Sequence, residues 1–267
     1  MFLIGFVCRG ITQFVKSVAT TSIDDTFKEY VKSKVDELRK SISSHSSIVV
    51  AYCNDSSYDY VRVLDNALQD IVNLTRLLIT DIAVAREMKA PFPGIVMYRD
   101  SGESATYQSD LSKDSLLRWV LIEELPLIVP YTVSFSRKMF DSRHGVHLQL
   151  LFFAPESGSD AKTLQYREVL ERIARKYRGV LFVSHIPAEN PRLLDYYGVR
   201  PWQVPTIGLA NFVGSRMDKY YFEDEFSEET VTLFVDSFLK GTLRPVLRSE
   251  EEPKHNPGPV YVAPETG

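Results

Sequence analysis

The sequence predicts an α/β protein built from two tandem domains, each a central mixed sheet flanked by helices. Three observations lead there. Short apolar runs rich in Val, Ile and Leu alternate with segments of three- and four-residue helical periodicity. The order of these segments in the first half recurs in the second at an offset of about 112–115 residues, so that Ser112 corresponds to Ser227 and Pro93 to Pro205. At 267 residues, 44% hydrophobic and 25% charged, the chain is long enough to bury two cores.

In the first half, the polar periodic stretch Asp25 to Lys40 predicts a helix, and Ser47 to Cys53 (SIVVAYC) a buried strand. From Tyr58 to Ile71, the spacing of Val61, Leu64, Leu68 and Ile71 puts four apolar side chains on one helical face. Thr75 to Ile82 reads as a strand, Val84 to Lys89 as a short helix, Gly94 to Tyr98 as a strand and Ala105 to Gln108 as its edge partner. Ser112 is placed to cap a helix whose Leu116, Leu117, Val120 and Leu121 face inward.

The second half follows the same order. Leu127 to Pro130 is apolar, Phe135 to Phe140 a short helix, and Val146 to Phe153 (VHLQLLFF) a buried strand. The clearest periodicity in the chain, Tyr166, Val169, Leu170, Ile173, Ala174 and Tyr177, marks the next helix. Val180 to Val183 and Thr206 to Phe212 read as strands on either side of a short helix, Arg192 to Tyr197, and Met217 to Phe222 pairs antiparallel with the latter strand. Ser227 opens a last helix with Val231, Phe234, Val235 and Phe238 inward, and Gly241 closes it. The expected boundaries are a first domain over 19–124 and a second over 125–244. Residues 1–18, with the apolar run Met1 to Cys8 and a short helix Ile11 to Val18, read as the remnant of a preceding domain, and the charged, Pro- and Gly-rich 245–267 as a linker or extension. Pro259 to Val262 has the composition of a strand opening.

The net charge of −4 comes without any block of basic residues, which argues against nucleic acid as a partner. No stretch approaches the ~18 consecutive apolar residues of a membrane span. The opening apolar run lacks a basic preceding region and is broken by Arg9, so it makes a poor secretory signal, and no retention motif closes the chain. The five histidines are dispersed, His144 and His147 have no acidic or sulfur partner at ligand spacing, and no metal or cofactor is expected. Two cysteines, Cys8 and Cys53, lie 45 positions apart and form neither a C-x-x-C nor a metal set. A disulfide between them stays open, although lone thiols more often serve as small buried hydrophobes.

Strand, helix, strand, helix, two antiparallel strands and a final helix is the thioredoxin arrangement. Its most telling local feature, an X-Pro bond just before the third core strand, is found twice, at Phe92-Pro93-Gly94-Ile95 and Val204-Pro205-Thr206-Ile207. Pro93 and Pro205 are expected to be cis, an isomer that costs only ~0.5–1 kcal/mol at an X-Pro bond. The backbone before such a bond is free to pair with an extended peptide. Redox chemistry in this fold needs a C-x-x-C at the entry of the helix after the first long buried strand, where the helix end favours a thiolate. Here those places read AYCNDSSY (Ala51 to Tyr58) and FAPESGSD (Phe153 to Asp160). Exchange requires an attacking and a resolving thiol, and neither place holds both.

The second half resembles the b′ domain of protein disulfide isomerases, and the whole chain their b–b′ pair. The resemblance rests on Glu124-Leu125-Pro126-Leu127-Ile128-Val129, Lys138-Met139-Phe140, Arg192-Leu193-Leu194-Asp195-Tyr196-Tyr197-Gly198-Val199 with Pro205 beyond, and the passage Phe238-Leu239-Lys240-Gly241, Arg244-Pro245, Ser249-Glu250 and Pro253. Pro259-Val260 is similar to the start of the catalytic domain that follows b′, and Ile11 to Val18 to the last helix of the one preceding b. The match is close over roughly 120–262 and mostly architectural over 15–120.

This resemblance implies a peptide-binding, chaperone-like module without redox activity, situated in the endoplasmic reticulum lumen. Its partners would be unfolded or partly folded polypeptides, together with flanking catalytic thioredoxin domains or co-chaperones. It also implies a hydrophobic pocket between the first and third helices of b′, formed by Tyr131, Phe135 and Phe140 on one side and Leu194, Tyr196 and Tyr197 on the other. Aromatic rings suit apolar side chains of varied sequence. Phe140 and Leu194 serve equally well as internal packing, whereas Tyr196 and Tyr197, being adjacent, must point in different directions. The acceptor triplets Asn54-Asp55-Ser56 and Asn73-Leu74-Thr75 fit a glycosylating compartment. Alternative readings are a fragment of a full-length thiol-disulfide oxidoreductase whose catalytic domains lie outside this chain, and a calsequestrin-like calcium buffer. The low net charge disfavours the latter, because many weak calcium sites need dense carboxylates.

Overall fold

The structure is a computed structural model describing residues 23–43, 47–54, 58–69, 71, 74–99, 102–214 and 216–245. The expectations for Met1 to Cys8, Ile11 to Val18, Asn73, the Asp55-Ser56 part of the first acceptor triplet and the tail after Pro245 lie outside these residues. The chain forms two compact units. The first comprises Met1–Pro126 and Ser134–Val146, the second Leu127–Val133 and His147–Gly267.

In unit 1 the elements are α1 (Ile23–Ser43), β1 (Ser47–Tyr52), α2 (Tyr58–Leu68), β2 (Thr75–Ile79), α3 (Ile82–Glu87), β3 (Gly94–Arg99), β4 (Ser104–Thr106) and α4 (Lys113–Glu123). The sheet runs in the order β2-β1-β3-β4, with β1 parallel to β2 and antiparallel to β3, and β3 antiparallel to β4. Alternate residues of β1 face opposite layers, as the two-residue period of a strand requires. Val49 and Ala51 join Ile95 and Met97 under Leu64 and Leu68 of α2 and Leu116 and Val120 of α4. Ile48, Val50 and Tyr52 join Val96 under Leu38 of α1 and Ala85 of α3. Every residue of β1 is therefore buried, which explains its unbroken apolar run. Strand β2 stops at Ile79, three residues earlier than expected, because Asp81 caps α3 by accepting a hydrogen bond from the Ala83 N–H at 2.8 Å. The Phe92–Pro93 peptide is cis. A Cβ at the next residue, Gly94, would lie 2.4 Å from the Pro91 side chain, so only glycine fits where the chain enters β3.

Unit 1 also takes most of α5 (Val133–Met139) and the 3₁₀ turn Ser142–His144. His144 pins this segment. Its Nδ1 accepts from the Val146 N–H at 3.0 Å, so its Nε2 carries the proton and donates to the carbonyl of Met139 at 3.0 Å. The Arg118 Nε of α4 donates to the carbonyl of His144 at 2.9 Å.

Unit 2 contains β5 (Ile128–Pro130), β6 (Leu148–Ala154), α6 (Ala161–Lys176), β7 (Leu181–Pro187), α7 (Pro191–Tyr197), a 3₁₀ turn Pro201–Gln203, β8 (Thr206–Val213), β9 (Arg216–Tyr221) and α8 (Glu228–Leu239). Its sheet order is β5-β7-β6-β8-β9. Strands β5 and β6 run parallel to β7, and β8 is antiparallel to both β6 and β9. Leu150 and Phe152 face Leu170, Ile173, Val231 and Val235 of α6 and α8. Leu151 and Phe153 face Leu194 and Tyr197 of α7.

Strand β7 runs four residues beyond the expected end at Val183. Ser184 and His185 are polar, and each finds a partner inside. The Ser184 hydroxyl donates to Gln149 Oε1 at 3.1 Å, and His185 Nε2 lies 3.2 Å from the Ala154 carbonyl. Ser112 and Ser227 cap α4 and α8 through the N–H groups of Ser115 and Thr230, and Gly241, with φ of 71°, follows the end of α8. The expectation of an α/β chain with two mixed sheets flanked by helices describes this structure.

Candidate functional site

At the end of β1, where thiol chemistry would be sited in this arrangement, stands a single sulfur. Cys53 has no exposed surface, and its N–H donates to the Ile79 carbonyl at 3.1 Å. A buried thiol held between two strands is a packing group rather than an exposed nucleophile. In unit 2 the matching turn leads from Ala154 into α6, and Asp160 occupies its N-cap. Its carboxylate accepts from the Thr163 N–H at 2.9 Å, and the bonds from Thr163 hold its carboxyl below the usual range. The N–H of Glu156 donates to both Glu189 oxygens, at 3.0 and 3.1 Å. A carboxylate, not a thiol, answers the partial positive charge of this helix end.

Four of the six aromatic and aliphatic candidates lie in unit 2. Leu194 and Tyr197 are buried at 3% and 4% exposure, and Tyr131 packs half-buried against the same cluster. The Tyr131 N–H donates to the His185 carbonyl at 3.1 Å, which ties the end of β5 to β7. The Tyr197 ring meets Phe153 edge-on, with centroids 5.5 Å apart, and burial beside Tyr131 and Tyr196 pushes its phenol well above the ordinary value. Tyr196, one residue earlier, is 54% exposed. Helix geometry explains the split: a 100° step turns one ring into the cluster and the next toward water. The Val204–Pro205 peptide is cis, and Val204 packs half-buried on the same cluster. The other two candidates, Phe135 and Phe140, belong with unit 1. Phe135 is half-buried, and Phe140 is 47% exposed at the C-terminal end of α5, where Lys138 bonds the Glu124 carboxylate.

Sequence reasoning missed two residues of β9 that hold α7 in place. Lys219 donates to the carbonyl of Tyr196, with its ammonium 4.4 Å from the Tyr196 ring centroid and 5.4 Å from that of Tyr197. Tyr221, two residues on and so on the same strand face, donates to the Tyr197 carbonyl at 3.1 Å. A cation at a helix C-terminus satisfies end carbonyls and favours the dipole. The signal was the predicted antiparallel pair, but nothing in the local pattern linked β9 to α7. Trp202, in the turn before Pro205, is 81% exposed and was also passed over. Among the described residues no cluster of His, Cys, Asp and Glu could hold a metal ion, and no helix is long and apolar enough to cross a membrane.

The repeated order, mixed sheets and two X-Pro turns define a thioredoxin-like protein, and the family described as thioredoxin-like domain matches residues 54–237. The chain belongs to that family. It is 31% identical over 188 residues to the protein disulfide-isomerase of Drosophila melanogaster, a match covering 67% of this chain and 37% of the relative. To the protein disulfide-isomerase of Gallus gallus it is 24% identical over 221 residues, covering 80% and 41%. The chain therefore spans about two-fifths of the curated relatives it matches. The bb fragment of ERp72 superposes with a TM-score of 0.51 at 14% identity, over 79% of this chain and 96% of that one, a likeness in fold. The chain is accordingly a thioredoxin-like domain pair of the protein disulfide isomerase family, with no C-x-x-C in its sequence.

Proposed function

We propose that the chain is a redox-inactive, peptide-binding module of a protein disulfide isomerase-like protein, holding unfolded or partly folded polypeptides in the endoplasmic reticulum lumen. The observation that carries this reading is a pairing of opposites. The helix-entry turns lack a usable dithiol, with Cys53 fully buried, while α7 leaves Tyr196 54% exposed, its ring against Tyr197 of the apolar cluster. A fold without its thiols can still grip, and aromatic surface beside buried apolar residues fits apolar side chains of varied sequence. Tyr131, Leu194, Tyr196 and Tyr197 form the proposed contact surface of unit 2. Phe135 on α5 and Phe140 just after it are further proposed contacts, and flanking catalytic thioredoxin domains or co-chaperones are the proposed protein partners.

The test is fluorescence anisotropy of a labelled, unstructured, apolar-rich peptide against the full chain and its Tyr196→Ala and Phe140→Ala variants. Weaker binding is expected in both, by about tenfold for an aromatic contact worth ~1–2 kcal/mol. Unchanged affinity in both would remove the surface. Insulin reduction by the same chain is expected to show no turnover, and measurable turnover would overthrow the redox-inactive half of the proposal.

A further inference from the structure

Lys219 places a positive charge on the contact surface proposed above, and that charge has a consequence for which polypeptides the surface accepts. Its position is built rather than incidental. Lys219 and Tyr221 leave β9 on one face and take the last two carbonyls of α7, those of Tyr196 and Tyr197. The ammonium is thereby drawn over the Tyr196 ring, 4.4 Å from its centroid, while more than half of Tyr196 stays open to solvent. Tyr196 and Tyr197 stand edge to face with centroids 5.1 Å apart, so the two rings and the ammonium form one unit. An apolar side chain laid on the outer part of Tyr196 would carry its flanking residues past a cation that cannot move away without giving up both ring faces and a helix-end carbonyl.

We propose that Lys219 makes this surface charge-selective, so that it favours apolar polypeptide segments flanked by carboxylates and disfavours those flanked by Lys or Arg. The neighbouring elements carry charges of both signs, and the exposed acids Glu223, Asp224 and Glu225 follow the end of β9. The N-terminal end of α7 carries Arg192, the turn after it Arg200, and β9 Arg216. The other acids are Asp195 on α7, Glu189 before it and Asp218 on β9, and Asp218 is paired with Arg216 at 3.0 Å. Glu189 is engaged by the Glu156 N–H. Of these groups only Lys219 is held against the exposed ring. Like charges brought together across an interface reject wrong partners, and opposite ones set selectivity more than raw affinity. This inference rests on the peptide-binding reading.

Three labelled peptides test it. They share one apolar core and differ only in flanks of Ser, Asp or Lys, titrated against the full chain at low and high salt. At low salt the Asp-flanked peptide is expected to bind about three- to tenfold tighter than the Lys-flanked one, a preference that shrinks at about 0.5 M salt. In Lys219→Gln the ratio is expected to collapse toward one, and in Lys219→Arg to return. An arginine keeps the charge, so rescue separates selectivity from a merely structural role of the side chain, and circular dichroism of each variant checks the fold. If the Ser-flanked peptide binds but the Asp-to-Lys ratio is unmoved in Lys219→Gln, charge selection by Lys219 is overturned while peptide binding stands. If none of the three peptides binds the unaltered chain, the peptide-binding reading falls and charge selection falls with it.

Discussion

Tyr196 and Tyr197 are neighbours in sequence with the same side chain, and truncating each to alanine should have different consequences. Tyr197 is 4% exposed and packs edge-on against Phe153. A buried aromatic residue covers roughly 150–250 Å², which at about 25 cal/mol per Å² bounds its contribution near 4–6 kcal/mol. Because unfolded chains already bury part of that area, and because buried aromatic truncations cost ~3–5 kcal/mol, a loss of about 3–5 kcal/mol is expected. Tyr196 is 54% exposed, so under half of such an area is covered. The same scaling, with ~0.5–1 kcal/mol for the ammonium over its ring, gives about 2–3 kcal/mol. The gap of roughly 1.5 kcal/mol is about tenfold in the unfolding equilibrium. Urea denaturation of both variants, followed by circular dichroism and by tryptophan fluorescence, measures it. Peptide anisotropy on the same samples should show the reverse order, with Tyr196→Ala losing affinity while still folded. Equal destabilisation by the two substitutions, or a larger loss from Tyr196→Ala, would refute the assignment of one ring to the cluster and the other to the surface.

Two further outcomes follow from buried polar groups. Burial of the His185 ring holds its pKa below the ordinary value, reinforced by Arg167 and opposed by the Ala154 carbonyl and by Glu189 and Glu156. Since the unfolded chain then takes up this proton at a higher pH than the folded one, stability is fully present above about pH 6.5 and falls as the pH drops toward the folded pKa. The melting temperature should decline less steeply between pH 7 and 5 in His185→Gln, and an identical slope would exclude His185 as the source. In unit 1, Arg99 bonds the Glu123 carboxylate at 3.0 Å and its carbonyl at 2.7 Å, with both side chains only 12–13% exposed. Arg99→Met should cost about 2–4 kcal/mol by stranding the acid, and adding Glu123→Met should recover part of that loss in denaturant titrations; a double variant as unstable as the sum of the singles would contradict the coupling.

The parts of the fold that could be read from the sequence are those in which local chemistry and tertiary packing agree. Ser112 and Ser227 announce helices because a hydroxyl at the N-cap serves the backbone whatever lies beyond. The β1 and β6 runs announce strands because both of their faces are covered. Where tertiary partners override local character, the pattern misleads. Ser184 and His185 continue β7 only because Gln149 and the Ala154 carbonyl await them. His144, isolated in sequence and close only to His147, serves the main chain of its own turn through both ring nitrogens. Lys219 was illegible for the same reason: 23 residues separate it from the Tyr196 carbonyl it bonds, and only the folded sheet brings the two together.

The internal repeat also bears on why the tyrosine surface of α7 has no counterpart in unit 1. Helix α3 of unit 1 holds the place that α7 holds in unit 2, between the second strand of the repeat and the X-Pro turn. Its sequence is Ile82-Ala83-Val84-Ala85-Arg86-Glu87, which buries the small residues Val84 and Ala85 and presents no ring. Helix α7 carries Leu194, Tyr196 and Tyr197, and its end is tied by two side chains from the edge strand. The described part of β4 is only three residues long, against six in β9, and has no counterpart of the Lys219–Tyr221 pair. The described strands common to both units share one order, and around this helix the difference lies in side chains and in the length of the edge strand: small residues close α3 over its core, whereas α7 buries one tyrosine, turns its neighbour outward and holds that ring under a fixed charge. Selection for gripping other chains would act on those few positions and leave the sheet untouched.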